Sequence, residues 1–357
     1  MPLNWSNKTQ YELHDLNYKM QTREEFPETI PEEISKLLKE HYFSLMVSFC
    51  ETQSSFLTGI YKRYKSIETA NIIICFTRNM HLSIIRQREK NLNHNVSLEN
   101  FWHNLHSVQK TSEKIASIVQ ITAIPKETVR RKIKKLLDIG FLINEKNTKR
   151  YAWNPSSKHK DFYQKIINEE IKILSKFTYK LTCQLKLNLD IKLIEKEIKS
   201  QFSFYWYHFL SCELQWLKMW QSRLRDNDLL LIILQAVIPT LHYAEKYGKD
   251  VNLNKTFKTI GEISDKYNFS ETAISAAAVS DVTGIPRATC IRKLEKLVNL
   301  GFLIRRDKNK RYVVNQISDA RTKNIMKKEN ITNTIKTFSE YISIILNSLV
   351  HNRTSNL

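Results

Sequence analysis

Two stretches of this chain are versions of one another, and that limits what the rest can be. Ile124 to Pro155 reads IPKETVRRKIKKLLDIGFLINEKNTKRYAWNP, and Ile285 to Gln316 reads IPRATCIRKLEKLVNLGFLIRRDKNKRYVVNQ. At a constant offset of 161 and without a gap, 15 of 32 positions are identical. A period this long is not that of short stacked repeats, so two whole domains of one kind are expected in one polypeptide.

Each copy divides into parts with separate physical meanings. Pro125 or Pro286 opens a helix, where a missing N–H costs nothing. Val129, Ile133, Leu136 and Leu137, or Cys290, Leu294, Leu297 and Val298, then recur at helical spacing and predict one buried face. Gly140 or Gly301 stands where a left-handed C-cap is wanted. Phe141 to Ile143 and Phe302 to Ile304 read as a first strand, Tyr151 to Trp153 and Tyr312 to Val314 as a second, joined by a basic turn. Upstream, Ser112 to Val119 and Ala273 to Ser280 read as short helices ending at tight turns.

The period also sorts the charges. With Val129 inward, Glu127, Arg131 and Lys134 lie opposite, flanked by Arg130 and Lys135; the second copy carries Ala288, Arg292 and Glu295 there, flanked by Ile291 and Lys296. Arg131 and Arg292 are the shared outward cations. Lys146, Lys149 and Arg150, and Arg305, Arg306, Lys308, Lys310 and Arg311, crowd the two hairpins.

Helix, tight turn, helix and hairpin in that order is where a resemblance enters. VSDVTGIPRATCIRKLEKLVNLGFLIRRDKNKRY resembles the DNA-binding module of winged-helix bacterial transcription regulators, broadly of the MarR or IclR type, over roughly 45 residues in each half. The resemblance implies a mainly α fold: two winged helix-turn-helix domains, each with a small β-hairpin wing, on a base of long helices related by an internal pseudo-two-fold duplication. It also implies that the second helix enters the major groove of double-stranded DNA while the wing follows the backbone. The DNA-contacting candidates are then Lys126, Thr128, Arg130, Arg131, Lys134, Lys135, Lys149 and Arg150 in the first copy, and Arg287, Thr289, Arg292, Lys296, Arg305, Arg306, Lys308, Lys310 and Arg311 in the second. The first copy has the more basic helix and the second the more basic wing, so the halves are expected to differ, one reading bases and the other holding phosphates. The competing reading is that a charged outer helix face is simply solvated, or that the winged helices dock protein.

Composition agrees with a polyanionic partner. Lys and Arg number 56 against 36 Asp and Glu, a net charge of +20, which favours association by counterion release. An AT-rich genome also pushes a chain toward Lys, Asn and Ile, so charge alone is a weak signal. Cys50, Cys75, Cys183, Cys212 and Cys290 are odd in number and scattered, as expected of reduced thiols in a cytoplasmic protein. No export signal opens the chain, and the apolar run Leu229 to Leu241, broken by Gln235 and Pro239, is shorter than a bilayer requires. With six glycines, none arranged as a phosphate loop, and no nucleophile or metal constellation beyond His103 and His106, neither an enzyme nor a cofactor is expected.

In chain order the expectation is an irregular arm over 1–30, a first winged-helix half over 31–157, a helical connector over 158–200, a second half over 201–316, a C-terminal helix over 317–350 and a tail over 351–357. Each half is expected to have its own core, opening with one long apolar helix (Ile34 to Tyr61; Ile194 to Trp220), aligned by Cys50-Glu51 against Cys212-Glu213. A buried helix follows in each (Thr69 to Arg88; Asp228 to Lys246), then a variable loop (Asn91 to Val108; Tyr247 to Ser270). Trp206, Trp216 and Trp220 either line a pocket for a small-molecule effector or pack between helices. Such a chain is a monomeric pseudo-dimer or a homodimer of such chains, away from any membrane. Its function is expected to be sequence-specific transcription regulation; the alternatives are a plasmid or phage replication initiator with tandem winged helices, and a winged-helix protein-interaction scaffold.

Overall fold

The computed structural model describes residues 30–355 except 109, 146–147, 156–159, 187–188, 248–250, 257–258, 260–261, 263–268, 307–309 and 316–327. The expected arm over 1–30, apart from Ile30, and Lys146 and Lys308 lie outside the described residues.

The chain is mainly helical with two small antiparallel sheets. In order the elements are α1 Pro31–Glu40, α2 Tyr42–Tyr64, α3 Ile67–Lys90, α4 Leu98–Ser107, β1 Ser112–Glu113, α5 Ile115–Thr122, α6 Lys126–Asp138, β2 Leu142–Glu145, β3 Arg150–Trp153, α7 Lys160–Gln184, α8 Ile191–Ser200, α9 Phe202–Leu224, α10 Asn227–Tyr247, α11 Ala276–Thr283, α12 Arg287–Asn299, β4 Leu303–Arg306, β5 Arg311–Val314 and α13 Lys328–Ser355.

Their lengths match in pairs. α1 and α8 have 10 residues each and α2 and α9 have 23, every pair starting 160 positions apart. α5 and α11 have 8 and α6 and α12 have 13, now starting 161 apart. α2 and α9 also end alike, on left-handed caps at Lys65 (φ 56°) and Arg225 (φ 54°). An offset of 160 sets Glu213 against Gln53, so the Cys-Glu pairs that aligned the sequence at 162 do not occupy matching turns.

The long helices cross over between the halves. α2 packs along α10, and α9 along α3; α1 packs along α13, and α8 along α7. One apolar cluster therefore runs from Ile34 to Leu349 and draws on both halves, in place of the two separate cores expected. The reason lies in the helices themselves: α2 and α9 bury residues on most of their circumference, and no single half has enough partners to cover them.

Other expectations shift locally. The long apolar helix of each half is broken, at His41 (φ −104°, ψ 32°) and at Gln201 (φ −109°, ψ 37°). The loop expected over Asn91 to Val108 contains α4, whose Leu98, Phe101, Trp102 and Leu105 follow the helical period and are buried, behind the N-cap Ser97. The short helix expected from Ser112 starts at Ile115, because Ser112 and Glu113 instead pair with Ala152 and Tyr151 as a third strand. At the same place the described residues of the second half form a bridge, Ile274 to Tyr312. The connector, expected to bend or break near Asn188 to Asp190, is divided there into α7 and α8, while α13 continues through 351–355, where a tail was expected.

The caps of α5 and α11 give a stability test. Ala123 ends α5 at φ 56° where Gly284 ends α11 at φ 73°, and a Cβ in this region is strained. Gly284→Ala should lower stability by about 1 kcal/mol, and Ala123→Gly should raise it by somewhat less because glycine adds freedom to the unfolded chain. Paired thermal melts measure both; Cβ at position 284 would also meet Lys62 Cγ at 3.3 Å.

Candidate nucleic-acid interface

Each head, residues 112–154 or 274–315, is built by the same local chemistry. Thr122 Oγ1 donates to Ile118 O (2.7 Å) and accepts from Ile124 N (3.2 Å); Thr283 does the same toward Val279 O (2.6 Å) and Ile285 N (3.2 Å). These hydroxyls set the turn between the two helices. Pro125 and Pro286 then sit in the N-cap position, extended at ψ 139° and 136°, one residue earlier than expected. Val129, Ile133 and Leu136, and Cys290, Leu294 and Leu297, are buried, so the predicted inward stripes hold.

Gly140 (φ 74°) and Gly301 (φ 82°) turn the chain left-handed after α6 and α12. Phe141 N and Phe302 N donate back to Leu136 O (2.9 Å) and Leu297 O (3.0 Å), closing the helix end. Asn154 Nδ2 and Asn315 Nδ2 fasten the second strand to Gly140 O (3.1 Å) and Gly301 O (2.9 Å).

The candidate cations fall into two groups. Arg150 Nη1 donates to Ser112 O (3.2 Å) and Arg311 Nη1 to Ala273 O (3.5 Å), so both staple the hairpin to the segment before α5 or α11. Arg130 pairs with Glu127 at 2.8 Å, and Arg305 with Glu295 at 2.8 Å. Glu295 also accepts from Tyr312 Oη (2.7 Å), which ties α12 to its own hairpin. Burial, helped by that bond, raises the Tyr312 phenol to about 12.

Arg131, Lys134 and Lys135 on α6, and Arg292 and Lys296 on α12, are exposed and have no carboxylate partner among the described residues. Lys126 and Arg287 at the helix starts, and Lys149, Arg306 and Lys310 on the hairpins, are exposed as well, whereas Thr128 and Thr289 are half-buried. Beside Arg292, Ile291 is 43% exposed, an apolar group of the kind that meets a thymine methyl.

Two lysines off the outward face also matter. Lys132 and Lys293 are identical in the two copies and lie three residues after Val129 and Cys290, about 60° from the buried meridian. Lys132 Nζ reaches Glu68 Oε2 (3.3 Å), Ser66 Oγ (2.8 Å) and Thr69 Oγ1 (3.1 Å) at the start of α3. Lys293 Nζ reaches Asp226 Oδ2 (2.6 Å) and Asp228 Oδ2 (3.3 Å) at the start of α10. Their identity together with that 60° angle was the available signal: a cation repeated on the flank of the buried face needs a carboxylate in the base.

Away from the heads, Trp216 and Trp220 line an apolar cavity of about 160 Å³ between α1, α2, α9, α10 and α13, while Trp206 is buried by a space of about 20 Å³ next to Tyr163 and Glu170. Burial pushes the Cys50 and Cys75 thiols up to about 12 and Cys290 to about 11; Cys290 Sγ donates to Ile285 O. α10 has the length and hydropathy to cross a membrane, and here its apolar side chains are mostly buried against α2 and its own head. Comparison with protein-family models, with curated proteins and with solved structures finds no match to this chain.

Proposed function

We propose that this chain is an internally duplicated pair of winged helix-turn-helix units that binds double-stranded DNA sequence-specifically, as a cytoplasmic transcription regulator. α6 and α12 act as the recognition helices and the two hairpins as wings. The long helices make a covalent pseudo-dimer of what would otherwise be two subunits.

One observation carries the reading. Of the 15 identical pairs in the repeat, Ile124, Leu136, Phe141 and Leu142 with their partners fill the core, Gly140 and Gly301 take positive φ, and Arg150, Asn154, Lys132 and their partners make the bonds given above. The pairs Arg131 and Arg292, and Lys135 and Lys296, meet none of these needs. They are exposed cations on the helix face that the fold leaves to solvent, as a groove reader requires.

The experiment is selection of duplexes from a random library by the full-length protein, followed by footprinting. An enriched sequence with salt-dependent affinity supports the reading; no enrichment and no salt dependence would leave the protein-docking alternative. A replication initiator would differ by protecting several iterated sites beside an origin, a regulator by protecting one site at a promoter. The aromatic cavity at Trp216 and Trp220 is the candidate seat for a small effector.

The wings make a separate prediction. Among the described residues Arg306 and Lys310 have no ion-pair partner, whereas Arg305 already faces Glu295. Neutralising Arg306 and Lys310 together should reduce the salt slope of binding by about two, at about 0.9 per lost phosphate contact. Arg305→Ala alone should change it by less than one, since its loss also frees a carboxylate beside the DNA. Slopes equal to wild type in both would show the second wing to be idle.

A further inference from the structure

We infer that the abutting N-termini of α3 and α10 hold the two recognition helices at one fixed separation, so that the DNA partner is a bipartite site whose half-sites lie less than two helical turns apart. This rests on the DNA-reading role of the heads and adds to it the geometry of the partner.

Each recognition helix is held to the base by one ammonium turned away from solvent. The Lys132 side chain is 15% exposed and Lys293 11%. Their carboxylates stand at the starts of two different long helices, Asp226 just ahead of α10, and those starts touch. Asp228 Oδ1 accepts from Ile67 N at 2.9 Å, while Asp228 Oδ2 faces Lys293. Gln221 Nε2 of α9 donates to Glu68 Oε1 at 3.5 Å, while Glu68 Oε2 faces Lys132. Asp226 Oδ1 accepts from Asp228 N, which fixes the acidic turn. A continuous polar path therefore joins α6 to α12 through α3 and α10.

The path is short enough to bound the spacing. Followed from Lys132 through Ser66, Ile67 and Asp228 to Lys293, it allows the two lysine Cα atoms to lie no further than about 29 Å apart, taking extended side chains and standard bond lengths. Arg131 and Arg292 are the neighbouring residues, so their Cα atoms lie within about 37 Å of each other. Successive major-groove openings on one face of a duplex are about 34–36 Å apart, and openings two turns apart are about twice that. One turn is within reach and two turns are not.

The same path resists independent motion of the heads. Swinging α12 away from α10 would strand the Lys293 ammonium or the Asp226 and Asp228 carboxylates in a half-buried site, which is costly because a shielded charge has lost its partner. Lys132 and Glu68 impose the same condition on α6. Lys132, Glu68, Asp226, Asp228 and Lys293 are therefore positioning residues, acting through where they hold Arg131 and Arg292.

The test uses the full-length protein and the duplex it selects from a random library, with 0, 5 or 10 base pairs inserted between the protected half-sites. Wild type should lose about 100-fold in affinity on either insertion, the order of the advantage gained by joining two binding modules. A Lys132→Met, Lys293→Met variant should bind the uninterrupted site within about tenfold of wild type and show an insertion penalty below about fivefold. Wild type that tolerates either insertion within about threefold overturns the fixed spacing while leaving DNA reading intact, and a variant with the full penalty overturns the role of the junction. Failure of any sequence to enrich counts instead against the DNA-reading role. If circular dichroism shows the double variant unfolded, Asp228→Asn keeps an acceptor for Ile67 N and removes one charge facing Lys293; its penalty should fall between the other two, and a wild-type penalty overturns the junction's role.

Discussion

Replacing Arg131 and Arg292 together by alanine should weaken sequence-specific DNA binding by at least an order of magnitude while leaving the protein folded. Both guanidinium groups are exposed, neither has a carboxylate partner among the described residues, and no hydrogen bond of the fold runs through either. A bidentate arginine contact to a guanine edge discriminates by about 1–3 kcal/mol, so losing one in each half-site should weaken specific binding by about 30-fold to 10⁴-fold. Non-specific binding should persist, because the exposed Lys134, Lys135, Lys296 and wing cations remain available to phosphate. The measurement is a pair of titrations, selected duplex against scrambled duplex at one salt concentration, with a thermal melt as control. An unchanged ratio between the two would remove these arginines from the reader. The single variants carry further information: Arg292→Ala should cost more than Arg131→Ala, since α6 retains Lys134 where α12 has Glu295, already engaged by Arg305 and Tyr312.

Much of the head was legible in the sequence because its determinants are local. A glycine at the end of an apolar period, a proline at its start and two β-rich runs each act within a few residues, and the repeat stated every instruction twice. Gly140 and Gly301 take positive φ and the inward stripes are buried, as that local chemistry requires. The base was less legible because its determinants are long-range. That α2 packs on α10 and α9 on α3 depends on faces more than 110 residues apart, and nothing within one apolar helix tells which partner will cover it. The breaks at His41 and Gln201 carry no proline or glycine to announce them. α4 was missed for a different reason: its period is regular but only ten residues long, and it lies where the halves cease to align. At the interface, exposure could be inferred for Arg131 and Arg292, but not that Arg150 and Arg311 donate to backbone carbonyls, which depends on the residues before α5 and α11 folding back beside the hairpin.

Glu213→Gln should flatten the dependence of stability on pH, because a buried carboxyl sits where the two halves cross. Glu213 on α9 is fully buried; Gln53 on α2, at the matching position of the first half, donates to its Oε1 at 2.7 Å. Burial raises the Glu213 carboxyl to about 8, with the Gln53 bond opposing and the charge of Glu170 adding to the rise. Burial likewise raises Glu170 to about 7, against the pull of Arg63. The folded state thus holds a proton on Glu213 that the unfolded chain releases near pH 4.5. Between pH 4.5 and 8 the unfolded state binds fewer protons, so stability falls as pH rises through this window and the contribution is fully present only below it. Over the whole window the loss from Glu213 is on the order of 4 kcal/mol. Glutamine keeps the shape and an oxygen for Gln53 but cannot ionise, which makes the crossing Gln against Gln. Urea midpoints at pH 5.5 and 8.5 should therefore drop more steeply in wild type than in the variant, whose remaining slope is the fall from Glu170 set against an opposing rise from His81, which burial lowers to about 3. Equal drops in the two proteins would mean that Glu213 is already ionised in the folded base. For the DNA binding proposed above, α2 and α9 pack on the helices that carry the heads, so raising the pH should weaken specific binding in wild type and spare Glu213→Gln.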